Sequence, residues 1–179
     1  MGFADLNGFV HKLTGVHMTV YMITDWLGLV PLCFVLSFAI LGLVQLIRRR
    51  SFFQVDRSIL ALGGFYILVM AAYLFFERFA VNYRPVLIDG FLEASYPSST
   101  TMLVMCMIPT AMVQLNIRIR NKMIRKVILR VLAAFTAFMV VGRLVSGVHW
   151  VTDIIGGVLL SAGLVMLYYS VSGLSFKEV

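Results

Sequence analysis

Five long apolar runs divide this 179-residue chain, and its polar residues gather in short stretches between them. A helix needs about 20 residues to cross the ~30 Å hydrocarbon core of a bilayer, and four of the runs reach about that length. The fourth run in the chain is shorter and contains Arg130, whose long side chain can extend to the membrane interface. The runs predict five transmembrane helices, over residues 26–47, 58–76, 98–116, 127–142 and 154–176.

The first 17 residues follow a different pattern. Apolar residues recur at helical spacing from Phe3 to Val16, and Asp5, Asn7 and Lys12 lie between them. This pattern predicts an amphipathic helix over residues 3–17 in the membrane interface, with a frayed terminus as the alternative. The predicted fold class is therefore all-α: one membrane domain, residues 1–179, with about five transmembrane helices plus an N-terminal interfacial helix.

Composition agrees with this class, since 61% of the residues are hydrophobic and 13% are charged. Soluble domains carry roughly twice that charged fraction. The formal net charge of +7 could indicate nucleic acid, but the basic residues cluster in two short loops between apolar runs. Such clusters orient membrane proteins, so no nucleic-acid partner is expected. Cys33 and Cys106 lie within apolar runs, which favours buried hydrophobic roles over a disulfide or a metal pair.

The two basic loops also predict an orientation. By the positive-inside rule both loops are cytoplasmic, and the stretches before the first run, after the second and after the fourth are outside. The expected location is the inner (plasma) membrane, with the C-terminus and Lys177 inside and membrane lipids as partners; the sequence indicates no oligomeric state. The basic residues concerned are Arg48, Arg49, Arg50 and Arg57 in one loop and Arg118, Arg120, Lys122, Arg125 and Lys126 in the other.

One outer stretch ends in a motif that is suited to binding an anion. Pro97 is followed by Ser98, Ser99, Thr100 and Thr101, which predicts the start of the third transmembrane helix with Ser98 or Ser99 as its cap. The first backbone N–H groups of a helix lack internal partners and attract negative charge. Most starts of this kind only cap a helix, so the motif by itself is a weak indication of function.

The other outer stretch adds a candidate nucleophile. His149 and Asp153 are four residues apart, a spacing that puts both side chains on one face of a helix, where the carboxylate can fix the imidazole tautomer. An isolated pair of this kind is more often an interfacial contact without catalytic use. Arg84 and Arg143 change that reading, because guanidinium groups match phosphate oxygens. Together these residues predict an outer phosphate site at which His149 attacks phosphorus.

These motifs resemble the signature of the type 2 phosphatidic acid phosphatase superfamily. That signature has three parts: Lys, six residues, Arg-Pro; then Pro-Ser-Gly-His; then Ser-Arg, five residues, His, three residues, Asp. The N-terminal sequence DWLGLVPL also resembles the short bacterial branch that dephosphorylates undecaprenyl diphosphate. The corresponding residues here are Glu77 with Arg84-Pro85, then Pro97-Ser98-Ser99-Thr100, then Gly142-Arg143 with His149 and Asp153.

The resemblance implies a hydrolase that removes phosphate from a polyprenyl diphosphate or a related lipid phosphate through a phosphohistidine intermediate. It implies that His149 is the nucleophile and that Asp153 orients it. No metal or other cofactor is implied, because the arginines supply the positive charge. The residues implied to hold the phosphoryl oxygens are Arg84, Ser98, Ser99, Thr100 and Arg143.

Three positions depart from the family pattern: Glu77 replaces the lysine, Gly142 replaces a serine, and Thr100 replaces the histidine that protonates the leaving oxygen. A general acid contributes ~10²–10⁴ in rate. Activity survives if the leaving group is itself a phosphate, or if His17 or His11 supplies the acid and Arg78 the missing cation. Otherwise the protein binds or transports a lipid phosphate without hydrolysing it, or it is a lipid phosphotransferase. The retained histidine, aspartate and arginines favour activity.

Overall fold

The computed structural model describes residues 3–172, and helices make up its regular structure within that range. The second and third helices join end to end into one span, Met18–Arg49, and the structure has five candidate membrane spans in total within the described residues. The predicted fold class, an all-α polytopic bundle of about five transmembrane helices with an N-terminal amphipathic helix, is confirmed. The helices are α1 (Ala4–Thr14), α2 (Met18–Leu27), α3 (Leu29–Arg49), α4 (Arg57–Arg78), α5 (Ser99–Arg118), α6 (Lys122–Val145) and α7 (Val151–Ser172).

The N-terminal helices differ from the boundaries predicted from sequence. The helix predicted over residues 3–17 ends at Thr14, because Gly15 adopts φ +66°, a left-handed conformation that favours glycine and interrupts a helix. The first span, predicted over residues 26–47, starts at Met18 and runs to Arg49. Asp25 therefore lies within a membrane span, where its carboxylate pairs with Arg143 of α6 at 2.7 Å.

The remaining spans are longer than the apolar runs that predict them. Helix α4 continues to Arg78, α5 continues to Arg118, and α6 starts at Lys122. Charged side chains with long aliphatic stems are tolerated at such ends because the head group reaches the interface. The last span, predicted over residues 154–176, starts earlier, at Val151, and residues 173–176, like Lys177, lie outside the described residues.

Helix α5 occupies the centre of the bundle. It packs against α3, α4, α6 and α7, and most of its length is buried while the other spans are largely exposed at their surfaces. Its first turn is therefore held among the outer ends of neighbouring helices, where the polar residues gather. The hydrophobic core is formed mainly where α5 meets α4, by Met102, Cys106, Met107, Ala111 and Val113 of α5 and Leu62, Phe65 and Val69 of α4.

The connection from α4 to α5 (residues 79–98, called the outer loop after the side predicted for it from the sequence) contains a short β-hairpin. Ile88 and Phe91 exchange both backbone hydrogen bonds, at 3.0 and 2.8 Å. The two residues between them, Asp89 and Gly90, have φ values of +48° and +83°. A two-residue type I′ turn requires positive φ at both positions, and Asp-Gly is a dipeptide that favours it. The local sequence therefore accounts for this hairpin.

A second antiparallel bridge, two residues out of register with the first, determines which side chains of the outer loop face one another. Arg84 N–H donates to the Glu93 carbonyl at 3.1 Å, and Ser95 N–H donates to the Asn82 carbonyl at 3.0 Å. The antiparallel bridge between Tyr83 and Ala94 lies between these two bonds. Arg84 is thereby placed beside Glu93, and Asn82 is placed beside Ser95.

The N-terminal segment holds the loop between α6 and α7. The buried Asn7 donates from Nδ2 to Thr152 Oγ1 at 3.0 Å, and its Oδ1 accepts from the Thr152 backbone N–H at 3.2 Å. Just before α2, the His17 backbone N–H donates to the Ser146 carbonyl at 2.9 Å. These bonds fix both ends of the loop that carries His149.

Candidate active site

His149 and Asp153 are buried at the outer end of α7, with exposed fractions of 3% and 0%. His149 lies in the loop before the helix, and Asp153 lies in its first turn. His149 Nδ1 and Asp153 Oδ2 are 4.0 Å apart, which is too long for a hydrogen bond. The direct contact expected from the four-residue spacing is therefore not made, because His149 precedes the helix and does not share a helical face with Asp153.

Ser95 of the outer loop connects these two residues. Its hydroxyl donates to Asp153 Oδ2 and lies 3.2 Å from His149 Nδ1. Its backbone carbonyl oxygen is also 3.2 Å from Nδ1. Because a carbonyl oxygen only accepts hydrogen bonds, we assign the imidazole proton to Nδ1 and the lone pair to Nε2.

The Asp153 carboxylate is fixed by donors on both of its oxygens. Asn82 Nδ2 donates to Oδ1 at 2.9 Å, and the Trp150 backbone N–H donates to Oδ2 at 3.0 Å. With the Ser95 hydroxyl, these bonds compensate the burial of the carboxylate. Asp153 therefore holds Ser95 in position, and Ser95 in turn orients the imidazole.

The His149 ring nitrogen Nε2 is a buried atom without a hydrogen-bond partner among residues 3–172. The pKa of His149 is lowered to about 3. Burial is the largest cause, and the nearby positive charges of Arg84 and Arg143 add to it. A pKa below the usual range keeps the imidazole neutral near neutral pH. A neutral imidazole with a fixed tautomer and a free lone pair is the form that acts as a nucleophile.

Beside His149 lies a cavity of about 600 Å³. Polar residues of the outer loop and the first turn of α5 line one part of it, among them Arg84, Glu93 and Ser99. Apolar and aromatic residues of the membrane-spanning helices line another part, among them Tyr73, Phe76 and Met102. The cavity thus combines a polar end at the connection between α4 and α5 with an apolar wall on the membrane-spanning helices.

Arg84 contributes free donors to this cavity. Its Nη2 lies 3.1 Å from Glu93 Oε2, and its side chain is 9% exposed. Within the described part of the chain, its buried Nε and Nη1 atoms have no hydrogen-bond partner. Buried polar atoms without partners are rare in folded proteins. Two such donors on a cationic group beside the free His149 nitrogen form a site suited to an anion.

Arg143, which was predicted to hold phosphate, is buried, and its Nε has no hydrogen-bond partner among residues 3–172. It is 1% exposed and lies outside the lining of the cavity. Its guanidinium donates to Asp25 Oδ1 at 2.7 Å, to the Tyr21 carbonyl at 3.3 Å and to the Thr100 hydroxyl. Arg143 therefore connects α6 to α2 and α5, and its charge acts on His149 from behind the cavity wall.

The remaining predicted site residues occupy two environments. Glu77, Arg78 and Ser99 line the cavity, whereas Ser98 and Thr100 lie outside its lining. Ser98 does not cap α5 through its side chain; its hydroxyl accepts from Thr101 at 3.1 Å.

The two histidines considered as replacement acids also lie outside this cavity lining. The His11 ring packs on Trp150 with centroids 5.5 Å apart. His17 Nε2 lies 2.9 Å from the Thr14 carbonyl oxygen. His11 thus contacts the loop between α6 and α7, and His17 contacts the end of α1.

Sequence reasoning missed Ser95 and Glu93 and gave Asn82 no role. These residues are brought to the site by the Tyr83–Ala94 bridge of the outer loop, which places Glu93 opposite Arg84. The Asp89-Gly90 turn signals the chain reversal, but its own register, with Ile88 opposite Phe91, would place Ser95 opposite Arg84.

The described residues contain no group of three or more His, Cys, Asp or Glu side chains placed to hold a metal ion. The free polar atoms at the cavity belong to a guanidinium and an imidazole. The guanidinium donors suit phosphate oxygens, and the imidazole lone pair suits the phosphorus atom.

A comparison with protein families agrees with this geometry. The sequence model of the PAP2 superfamily matches residues 59–177, which is more than half of the chain and includes Arg84, His149 and Asp153. The chain belongs to the PAP2 superfamily. The family prediction made from the sequence is confirmed, and the prediction of a phosphoric ester hydrolase is supported by this membership. The chain is an integral, multi-pass membrane protein of that superfamily.

Among solved structures, this PAP2 protein is similar to a crystal structure described as the first transmembrane PAP2 type phosphatidylglycerolphosphate phosphatase from Bacillus subtilis. The TM-score is 0.62 with 17% sequence identity, and the match covers 93% of this chain and 84% of the other. At that identity the likeness shows a shared fold alone. A comparison with curated proteins finds no match.

The contacts of Ser95 predict that Ser95→Ala lowers kcat by ~10–100-fold, the usual loss when a partner that orients a functional imidazole is removed. The variant removes the hydroxyl between His149 and Asp153, while the backbone carbonyl still accepts from Nδ1. Steady-state rates of phosphate release would measure kcat and KM separately, and KM is expected to change little.

A matched control is Ser161→Ala, which removes another buried serine hydroxyl that does not line the cavity and does not contact His149. Ser161 donates to the Met102 carbonyl at 3.2 Å. The control is expected to retain the unmodified kcat. If the two alanine variants have equal kcat values, Ser95 does not orient His149.

Proposed function

We propose that this PAP2 protein is an active lipid phosphatase that hydrolyses a polyprenyl diphosphate or a related lipid phosphate through a phosphohistidine. One observation carries the proposal: within residues 3–172, three buried nitrogen atoms without partners belong to two residues that line one cavity. They are His149 Nε2 and Arg84 Nε and Nη1. A phosphoryl group satisfies all three, because its oxygens accept from the guanidinium and its phosphorus accepts the imidazole lone pair.

In the proposed reaction, His149 Nε2 attacks phosphorus, the N–P bond forms, and the bond to the leaving oxygen breaks. Water then attacks the phosphohistidine, releasing inorganic phosphate and regenerating neutral His149. Arg84 stabilises the negative charge that develops on the phosphoryl oxygens. Ser99 and the free N–H groups at the start of α5 add donors. Ser95 and Asp153 keep the imidazole oriented, and Arg143 contributes positive potential.

The lining of the cavity supports a lipid substrate. Phe76 and Tyr73 belong to α4, and Met102 belongs to α5, both of which are candidate membrane spans. A lipid chain packed on these residues stays in the bilayer while its head group reaches Arg84 and His149. The resemblance of the N-terminal sequence to the undecaprenyl-diphosphate branch supports a polyprenyl diphosphate as the substrate. A phosphatidylglycerol phosphate is the second candidate, because the similar solved structure is described as a phosphatase for that lipid.

The function is tested by giving the purified protein undecaprenyl diphosphate, phosphatidate and phosphatidylglycerol phosphate, and measuring released phosphate. A His149→Ala preparation provides the background. Release above background identifies the preferred lipid. If no phosphate is released from any of the three lipids, the hydrolase proposal is rejected and a non-catalytic lipid-phosphate binder or transporter is the remaining function. Disappearance of the lipid phosphate into another acceptor, without free phosphate, would identify a phosphotransferase.

We further propose that the cavity opens at the outer face of the inner membrane. This orientation is supported by the basic residues of the loops between α3 and α4 and between α5 and α6, which favour the cytoplasmic side. A cysteine introduced as Arg120→Cys, in a variant with Cys33 and Cys106 replaced by serine, is expected to react only with a membrane-permeant maleimide in intact cells. Reaction with an impermeant maleimide added outside would reverse the orientation. A cysteine at Asp89 in the same background is the matched outer control and is expected to react with both reagents.

A further inference from the structure

Transfer of a phosphoryl group from an alcohol to His149 needs a proton donor at the leaving oxygen. An alkoxide is a strong base, and its departure is slow unless a positioned acid protonates it as the P–O bond breaks. The required donor must line the cavity that holds the phosphoryl group. It must also be able to release its proton near neutral pH.

Few side chains in the cavity lining meet both conditions. Guanidinium groups, phenol hydroxyls and aliphatic hydroxyls hold their protons too tightly near neutral pH, which excludes the arginines, the tyrosines and Ser99 of the lining. His149 is the nucleophile in the proposed function, and its ring proton is bound to Ser95 through Nδ1. Two carboxyl groups of the lining remain, those of Glu77 and Glu93.

Glu93 is the one of these two that is joined to the phosphate-binding arginine. Its Oε2 lies 3.1 Å from Arg84 Nη2, and its backbone carbonyl accepts from the Arg84 backbone N–H at 3.1 Å. Two contacts therefore hold Glu93 beside the guanidinium whose other nitrogen atoms are free. Glu77 lines the same cavity from the exposed end of α4.

We propose that Glu93 is the general acid of this site and protonates the leaving oxygen when the phosphoryl group moves to His149. The inference rests on the proposed phosphatase function. The Glu93 proton passes to the leaving oxygen, the P–O bond electrons stay with that oxygen, and the His149 lone pair forms the N–P bond. The resulting Glu93 carboxylate then takes a proton from the water that attacks the phosphohistidine. The cycle closes with phosphate and the protonated leaving group, which is an alcohol for a lipid monophosphate and a lipid phosphate for a diphosphate.

One further feature of Glu93 suits this role. Its side chain is 42% exposed, so water reaches the carboxyl group between turnovers.

The test is Glu93→Gln, which keeps the size of the side chain and an oxygen that accepts from Arg84 but removes the acid proton. The variant and the unmodified protein are assayed with phosphatidate, whose leaving group is an alkoxide, and with 4-nitrophenyl phosphate, whose leaving group is a much weaker base. The parameter compared is kcat/KM, because it includes phosphoryl transfer to His149 and not the later hydrolysis. We expect a loss of at least ~100-fold with phosphatidate and less than ~10-fold with 4-nitrophenyl phosphate.

Two further variants make the result specific. Asp89→Asn changes an exposed acid at the hairpin turn outside the cavity lining, and it is expected to keep both kcat/KM values. Glu77→Gln changes the other acid of the lining. The proposal is overturned if Glu93→Gln loses equally on both substrates, if it loses on neither, or if Glu77→Gln alone shows the leaving-group dependence. If the unmodified protein releases phosphate from neither substrate above the His149→Ala background, the proposed function fails and the acid role fails with it.

Discussion

Replacing His149 with alanine is expected to reduce phosphate release by ~10⁴-fold or more, the scale of loss when a catalytic nucleophile is removed. The structure gives the reason. His149 Nε2 is buried without a partner among residues 3–172, and burial together with Arg84 and Arg143 holds the pKa of His149 at about 3. The ring is therefore neutral and carries a free lone pair at neutral pH. The neighbouring side chains of Asp153 and Ser95 carry no nitrogen atom and therefore cannot form the same N–P bond.

The measurement should detect the intermediate as well as turnover. Brief incubation with a lipid labelled at its phosphoryl group, followed by an alkaline quench, is expected to leave label on the unmodified protein and none on His149→Ala. Acid treatment is expected to remove that label, since phosphohistidine is labile in acid and stable in alkali. Persistent labelling of the alanine variant would show that another residue accepts the phosphoryl group. A circular dichroism spectrum equal to that of the unmodified protein excludes misfolding as the cause of lost activity.

Replacing Arg84 with alanine is expected to lower kcat/KM by ~10²–10³-fold, the usual loss when a donor that stabilises transition-state charge is removed. Arg84 supplies two buried donors that have no partner within the described residues. Its removal also leaves the Glu93 carboxylate without its ion partner, so the polar end of the cavity becomes less positive. Both effects weaken binding of a phosphoryl group, and we expect KM to rise and kcat to fall.

Arg78→Ala is the matched control for Arg84→Ala, because Arg78 lines the same cavity but is exposed and packs over Phe79 at 6.0 Å. Its loss is expected to be less than ~10-fold, as is typical of an exposed charge that is screened by solvent. Steady-state kinetics with the preferred lipid compare the two variants. An equal loss would mean that total positive charge matters at this cavity, and not the buried donors of Arg84.

Much of the fold was predictable because transmembrane helices are local features. A run of about 20 apolar residues specifies a span regardless of its partners, and all five spans were found in that way. Prediction failed where a polar residue lay inside a span. Asp25 made the first span seem to begin at residue 26, yet the helix starts at Met18, because the Asp25 carboxylate pairs with Arg143 from a distant part of the chain.

The candidate site was predictable as a set of residues and not as an arrangement. The family motifs led to Arg84, Ser99 and His149, which line one cavity. The motifs also implied phosphate contacts for Arg143, whose guanidinium contacts Asp25 and the Thr100 hydroxyl. Ser95 belongs to no motif, yet it lies within 3.2 Å of His149 Nδ1.

Hydropathy and spacing along the sequence determined that this is a helical membrane protein with a superfamily signature, because the length of an apolar run and the intervals within a motif are properties of neighbouring residues. Only the tertiary structure decided which polar atoms face the cavity and which are used to hold helices together. That choice depends on pairs far apart in sequence, such as Arg143 with Asp25, 118 positions away, and Ser95 with Asp153, 58 positions away. A buried polar atom must find a partner wherever the fold brings one. The proposed phosphate site therefore consists of the few nitrogen atoms of His149 and Arg84 to which the described part of the fold gives no partner.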